Sequence, residues 1–106
     1  MKSIIILTTT FENKEDAARQ ARLLVEGRLV ACAQISSPIT SFYRWKGEVE
    51  SATEFTLSMK TTPQRVAAVK QHLTEFHPYD LPEIIGTELH DVNREYLEWV
   101  YKEVAK

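Results

Sequence analysis

The reactive side chains of this sequence are few and widely spaced. Cys32 lies between Ala31 and Ala33 and is the only thiol. A single cysteine excludes an internal disulfide. Two interpretations are open: a small hydrophobic residue buried in a strand, or a soft ligand for copper, above all Cu(I), if a second donor converges on it. Neither a Cys-x-x-Cys nor a His-x-x-x-His spacing accompanies it. The residue pattern is therefore only a weak indication of metal binding.

His77 opens a His-Pro-Tyr segment and also has two interpretations. As an imidazolium it would cap the C-terminus of the preceding helix, where the helix dipole favours a positive charge. Alternatively, it binds a metal ion or another ligand. The other two histidines, His72 and His90, are expected to be solvated surface residues.

A second set of polar and aromatic residues comes from separate segments that would converge at a subunit boundary. The set consists of Tyr43, Trp45, Lys60, Tyr79 and Glu83. In one interpretation, Tyr43 and Trp45 fill a groove of a neighbouring subunit. In the other, the set lines an intersubunit cleft in which Lys60 and Glu83 hold a small anionic or zwitterionic ligand.

Familiar catalytic motifs are missing from the sequence. There is no Gly-x-Ser-x-Gly motif, and spacing assigns no histidine to a serine or to Cys32 as a base. The three glycines, Gly27, Gly47 and Gly86, lie too far apart for a phosphate-binding loop. The net charge of −2, from 13 basic and 15 acidic residues, indicates no basic face. We expect a protein that is not an enzyme and binds no nucleic acid.

Length and composition predict a single domain over residues 1–106. The hydrophobic fraction of 43% and the charged fraction of 26% match those of ordinary globular proteins. No segment approaches the ~20 apolar residues of a membrane span. The short apolar run near the start lacks the cleavage pattern of a signal peptide. These features, together with the single cysteine, predict a cytoplasmic protein that does not bind membranes.

The hydrophobic pattern predicts seven elements. Strands are expected at 4–9, at 29–35 with a continuation at 40–45, at 48–60 and at 83–89. Three helices are expected to begin at Asn13, Thr62 and Asn93, each of which is predicted to cap its helix. Gly27 ends the first helix, and residues 36–38 introduce a bulge or an edge position. The order β-α-β-β-α-β-α predicts an α+β fold, a ferredoxin-like β-α-β-β-α-β sandwich with an extra C-terminal helix.

The second and third predicted strands form a long hairpin around a tight turn at Gly47. Its arms are longer than two packing helices can cover, so that Phe42, Tyr43 and Trp45 would be exposed together with unpaired backbone. Such an edge is a hazard for a monomer. The pattern therefore predicts an oligomer.

Four blocks, at 29–35, 41–50, 77–85 and 96–99, together resemble the CutA family of divalent-cation tolerance proteins. They contain Ala-Cys-x-x-Ile, Tyr-x-Trp-Lys-Gly-x-x-Glu and His-Pro-Tyr-x-x-Pro-Glu-Ile in that order. The resemblance implies a ferredoxin-like protomer, a homotrimer built by sheets meeting edge to edge, and a response to metal ions. A similar trimer occurs in the PII signalling proteins, which bind small effectors between subunits. A PII-like regulatory module that binds a small molecule or a partner is therefore the alternative function.

The sequence departs from the family pattern at two positions that concern metal. Family members discussed as copper binders tend to carry a thiol near the end of the first strand and a second histidine just before His-Pro-Tyr. Here those positions are Thr8 and Phe76. The remaining candidate ligands are His77 and Cys32, and we expect copper or another divalent cation to bind weakly, if at all, with no certain cofactor.

Overall fold

The computed structural model describes residues 2–105 and contains, in that range, one five-stranded sheet and three α-helices. In chain order the elements are β1 Ile4–Phe11, α1 Lys14–Glu26, β2 Cys32–Ile35, β3 Ile39–Trp45, β4 Glu48–Thr61, α2 Val66–Phe76, β5 Ile85–Leu89 and α3 Arg94–Val104. A single 3-10 turn, Pro63–Arg65, leads into α2. Within this part of the chain, no helix is long and apolar enough to cross a membrane.

The strand order is β2-β4-β1-β5, every pair is antiparallel, and β3 pairs with the outer half of β4. Because β4 lies between β1 and β2, the α1 connection crosses over one strand, as it does in a split βαβ unit. The predicted ferredoxin-like α+β fold is confirmed. The predicted second strand is divided into β2 and β3, so the predicted hairpin is formed by β3 and β4.

Hydrophobic cores lie on both faces of the sheet. The larger one contains Leu7 and Phe11 of β1 and is covered by α1 and α2. On the opposite face α3 covers a smaller core, which contains Ile4 of β1 together with Val100 and Val104. Burial on both faces explains the nearly continuous apolar run at the start of β1.

The ends of the helices agree with the expected signals in part. Asn13 caps α1, since its side chain accepts hydrogen bonds from the backbone N–H groups of Glu15 (2.8 Å) and Asp16 (3.4 Å). Gly27 follows the last helical residue as predicted, but the positive φ of this helix end is at Arg28 (58°). Neither Thr62 nor Asn93 makes a side-chain capping hydrogen bond, so the capping role predicted for these two residues is wrong.

The interruption at 36–38 is confirmed as a bulge in the strand pairing. Ile35 pairs with Leu57, whereas Ile39 pairs with Glu54. Four steps along one strand thus oppose three along β4, which leaves one extra residue between β2 and β3. Two strands also begin later than predicted, β2 at Cys32 rather than at 29, and β5 at 85 rather than at 83.

Beyond the sheet, β3 and β4 continue as a two-stranded ribbon. The pairing of β4 with β1 ends at Phe55, and its pairing with β2 ends at Leu57. From Glu54 outward, β4 pairs with β3 alone, as far as the pair of Trp45 with Glu48. We call this segment, residues 39–54, the ribbon. It extends a chain whose longest dimension is 45 Å.

The two turn residues at the tip of the ribbon both have positive φ, 51° at Lys46 and 82° at Gly47. This is the requirement of a type I′ turn, in which glycine is tolerated far better than residues with a Cβ. We expect Gly47→Ala to lower the free energy of unfolding by about 1 kcal/mol, because of the backbone conformation alone, since the added Cβ would meet no atom within 4 Å.

The matched change is Lys46→Asn, which places a residue that tolerates positive φ at the other turn position. We expect Lys46→Asn to raise the free energy of unfolding. Denaturant titration at one fixed protein concentration measures the effect of both substitutions. Equal stability of Gly47→Ala and the unsubstituted chain would contradict this account of the turn.

Candidate functional site

A buried polar cluster lies where the ribbon leaves the sheet. We call it the root cluster and define it by Thr9 and Thr10 of β1, Glu54 of β4, and His77 and Tyr79 of the segment after α2. His77 and Glu54 are each only 9% exposed. Among the described residues, no buried side-chain nitrogen or oxygen lacks a hydrogen-bond partner. The cluster is therefore fully connected.

Both ring nitrogens of His77 are occupied. Nδ1 accepts a hydrogen bond from the backbone N–H of Tyr79 (3.1 Å), and a backbone N–H can only donate. The proton of the neutral ring is therefore on Nε2, which donates to the Thr10 carbonyl and lies 3.0 Å from both that oxygen and the Thr9 hydroxyl. The ring also stacks on Phe11 at a centroid distance of 4.3 Å.

This arrangement completes the edge of β1. The last pair between β1 and β5 joins Thr8 to Ile85, so no strand covers β1 beyond Thr8 on that side. The His77 ring bonds to the Thr10 carbonyl at this open stretch. The C-terminus of α2 is capped by the His77 backbone, whose N–H donates to the Leu73 carbonyl (2.8 Å). The imidazole therefore contacts β1, and it does not serve α2 as a charged cap.

The pKa of His77 is consistent with a neutral ring. Burial lowers this pKa below its ordinary value of 6.5, and the opposing effects of the Thr10 carbonyl, Glu54 and Asp16 are smaller. A second proton would have to be on Nδ1, directly facing the N–H of Tyr79.

Glu54 is the acidic member of the cluster. The Tyr79 hydroxyl donates to Oε2 of Glu54 over 2.8 Å. Burial alone would raise the pKa of this carboxyl, but hydrogen bonds from Ser41, Tyr79 and Thr10 outweigh it, and the pKa falls below its ordinary value of 4.5. Burial, followed by the bond to Glu54, raises the pKa of Tyr79, so the phenol stays protonated and remains a donor.

The structure brings together two of the predicted cleft residues, Tyr43 and Tyr79, within one chain. Tyr43 lies on the same face of the ribbon as Glu54 and is close enough to Tyr79 to affect its pKa. Lys60 is at the other end of β4, where Nζ donates to Oε1 of Gln34 (2.6 Å). About 40 Å of strand separates Lys60 from the rung of Trp45. Any single cleft lined by both residues would need more than one chain.

Glu83 lies in the exposed connection before β5 and makes no side-chain hydrogen bond within the described range. Its predicted part in a cleft stays a prediction.

Cys32 and His77 lie on opposite faces of the sheet. Cys32 contacts the helix α3, where its Sγ is 3.4 Å from the Tyr96 hydroxyl. Burial and the neighbouring thiol raise the pKa of Tyr96 to about 12. His77 stacks on Phe11, in the core under α1 and α2. One chain thus does not bring the two candidate ligands together, and within residues 2–105 no group of three or more His, Cys, Asp or Glu side chains could hold a metal ion.

The other histidines differ from each other. His90 is exposed, as expected, with Nε2 3.5 Å from Glu88. His72 is half-buried and hydrogen-bonded to Oε1 of Gln20 on α1 (2.7 Å), so the expectation that it is a solvated surface residue is wrong. Its ring also contacts Phe76.

Comparison with known proteins establishes the family. The profile of the CutA1 divalent ion tolerance protein family matches residues 5–103. The chain belongs to this CutA1 family. It is 40% identical over 100 residues to the divalent-cation tolerance protein CutA of Thermus thermophilus, covering 94% of this chain and 95% of that protein. Identity to the protein of the same name from Pyrococcus horikoshii is 37% over 103 residues, covering 97% and 100%.

Solved CutA1 structures share the fold. The crystal structure of divalent ion tolerance protein CutA1 from Ehrlichia chaffeensis matches with a TM-score of 0.94 at 39% identity, covering 100% of this chain and 99% of that one. CutA from Synechococcus elongatus matches with a TM-score of 0.93 at 33% identity, covering 99% and 93%.

Sequence reasoning for this CutA1-family chain missed Glu54. The alternation of 55–60 places Glu54 on the half-exposed face of its strand, where a solvated carboxylate is the ordinary interpretation. Only the pairing of β4 with β3, and the return of Tyr79 to that rung, show that this carboxylate is buried. Tyr79 itself was singled out, but for a cleft and not as a donor to Glu54.

The two lowered pKa values in the root cluster predict acid sensitivity. His77 takes up a proton more readily when unfolded, so its contribution to stability is complete above pH 6.5 and falls as the pH drops below that value. The contribution of Glu54 is complete above pH 4.5 and is lost as the pH falls through its lowered folded-state pKa.

We therefore expect the free energy of unfolding to decrease between pH 7 and pH 4, measured by denaturant titration at one protein concentration. In His77→Asn, the decrease just below pH 6.5 should be smaller than in the unsubstituted chain. His90→Asn, at an exposed histidine, is the matched control. Identical pH profiles for His77→Asn and the unsubstituted chain would show that His77 is not held neutral.

Proposed function

We propose that this CutA1-family protein acts in divalent-cation tolerance as a cytoplasmic homotrimer, with the ribbon as its main subunit contact. The observation that carries the proposal is the exposure of apolar side chains along the ribbon. Phe42 is 75% exposed and Val49 68% on one face of the ribbon, and Tyr43 and Trp45 are exposed on the other.

The physical argument rests on what a ribbon of this kind needs. A two-stranded hairpin is at best marginally stable in water without a further packing surface. Within residues 2–105, no third strand pairs with this ribbon, and the outer edge of β3 is open. An open edge that carries large apolar side chains favours association. Further copies of the same chain would supply the missing surface.

Sedimentation analysis at micromolar concentration tests the assembly. We expect a mass about three times that of the 12.2 kDa chain. Trp45→Ala should weaken the trimer by about 2 kcal/mol, as expected for a buried interface aromatic. Leu23→Ala, at an exposed leucine of α1 away from the ribbon, is the control. A stable folded monomer of the unsubstituted chain would overturn the proposal.

Metal binding in this proposal is weak. A strong site for copper needs two to four convergent donors with supporting contacts, whereas Cys32 and His77 lie on opposite faces and the His77 nitrogens are both engaged. Association of subunits would create a stronger site only by bringing donors from different chains together.

Titration with Cu(II), and with Cu(I) under reducing conditions, tests this expectation by calorimetry. We expect modest affinity in the unsubstituted protein, with little change in Cys32→Ser or His77→Ala. Submicromolar binding at one site per protomer, lost in either variant, would instead establish a metal site formed in the trimer.

The second candidate function is a PII-like regulatory module that binds a small molecule between subunits. The observation that favours it is that Tyr43 lies on the same face of the ribbon as Glu54, to which Tyr79 is hydrogen-bonded, and that Tyr43 affects the pKa of Tyr79. A thermal-shift screen of common metabolites beside copper and zinc separates the two functions.

For both candidate functions, we propose that the protein is not an enzyme and binds neither nucleic acid nor membranes.

A further inference from the structure

We propose that the hydrogen bond between Tyr79 and Glu54 is a latch that sets the direction of the ribbon, and that it thereby controls assembly. This inference rests on the trimer of the proposed function. It assigns a positioning role to two residues that lie at the base of the ribbon and not at its exposed tip.

The position of Glu54 is the first step of the argument. Phe55 is the last residue of β4 that pairs with β1, and Glu54 forms the first rung of the ribbon with Ile39. Any bending of the ribbon relative to the sheet occurs at this junction. A contact to Glu54 from outside the hairpin therefore restrains the ribbon directly.

The second step is that Tyr79 is itself firmly held. Its backbone N–H donates to Nδ1 of His77, and its ring packs against the His77 ring at a centroid distance of 4.8 Å. His77 in turn is bonded to Thr9 and Thr10 of the central strand. The Tyr79 hydroxyl thus connects the ribbon to the middle of the sheet through a short series of buried contacts.

The third step concerns the length of the ribbon. Its tip lies about 20 Å beyond Glu54, so a change of about 10° at the junction moves the tip by about 3.5 Å. Interface side chains such as Trp45 and Phe42 would no longer meet their partner surface after such a movement. A bond at the base therefore has an effect on assembly larger than its own share of the protomer's stability.

Other side-chain bonds also act at the junction, since Glu54 accepts from Thr10 of β1 and from Ser41 of the ribbon as well as from Tyr79. Ser36 bonds to the backbone of Thr56 through its hydroxyl and its N–H, but this contact joins the bulge between β2 and β3 to β4 and does not reach the ribbon. Tyr79 approaches from a different part of the chain. The bond is also charge-assisted, since its acceptor is a carboxylate, and bonds of this kind are stronger than neutral ones.

The test uses the full chain with Tyr79→Phe, which removes the hydroxyl and keeps the ring against His77. Tyr101→Phe is the matched control. The Tyr101 hydroxyl donates to the Ser3 carbonyl over the same 2.8 Å, but Tyr101 belongs to α3 and this bond is away from the ribbon. Subunit exchange is measured by native mass spectrometry after unlabelled protein is mixed with ¹⁵N-labelled protein of the same variant.

We expect exchange to be at least about tenfold faster in Tyr79→Phe than in the unsubstituted protein, and within about twofold of it in Tyr101→Phe. Glu54→Gln should lie between the unsubstituted protein and Tyr79→Phe, since it keeps an acceptor but loses the charge. Equal exchange rates in Tyr79→Phe and Tyr101→Phe would overturn the latch.

A distance measurement within one chain tests the direction of the ribbon independently of assembly. Spin labels at Arg44→Cys and Lys70→Cys, in a Cys32→Ser background diluted with unlabelled protein, report the angle between ribbon and α2. Tyr79→Phe should broaden this distribution and Tyr101→Phe should not. Unchanged widths would overturn the latch, whereas a monomeric unsubstituted protein with broadening in Tyr79→Phe would overturn only the proposed trimer.

Discussion

The pairing of β4 with three different strands is the constraint on which the rest of this structure depends. Its 14 residues pair with β1 and β2 along the inner half and with β3 along the outer half. The inner half is covered by helices on both faces of the sheet, whereas the outer half has no such cover. One continuous strand thus belongs to a closed core and to an open ribbon. The root cluster lies at the boundary between these two environments.

At that boundary the His77 side chain bonds to the edge of β1 where no neighbouring strand pairs with it. β5 stops short of the end of β1, and the neutral His77 ring donates to a carbonyl that a longer strand would have paired. The ring can donate from Nε2 and accept the Tyr79 N–H at Nδ1 at the same time only while it is uncharged. The same residue orients Tyr79, which reaches Glu54. The order of these contacts, from β1 to His77 to Tyr79 to Glu54, explains why a histidine stands at the start of this segment.

Most of the fold was predictable because the signals were local or strongly periodic. The apolar run of β1, the cap at Asn13 and the turn at Gly47 each act within a few residues. The predicted overhang of the hairpin followed from its length alone. Contacts between distant segments were not accessible in this way. The burial of Glu54 depends on a strand register and on a tyrosine 25 positions away. The bond of His72 to Gln20 depends on how two helices align. For the metal ligands, the alternation of Cys32 along its strand was visible, but the face occupied by His77 was not.

The extra residue between β2 and β3 has a consequence for how this chain tolerates insertions and deletions. Ser36, Ser37 and Pro38 have the composition of a surface loop, in which changes of length are usually accepted. Here they connect two strands that pair with β4 in different registers. The register of β2 keeps Ala33 and Ile35 in the core, and the register of β3 is set by the two-residue turn at Lys46 and Gly47. Removal of one residue would force β2 to slip and turn those side chains out, or would force the turn to change its type. Length at this apparent loop is therefore constrained as tightly as the identity of a core residue.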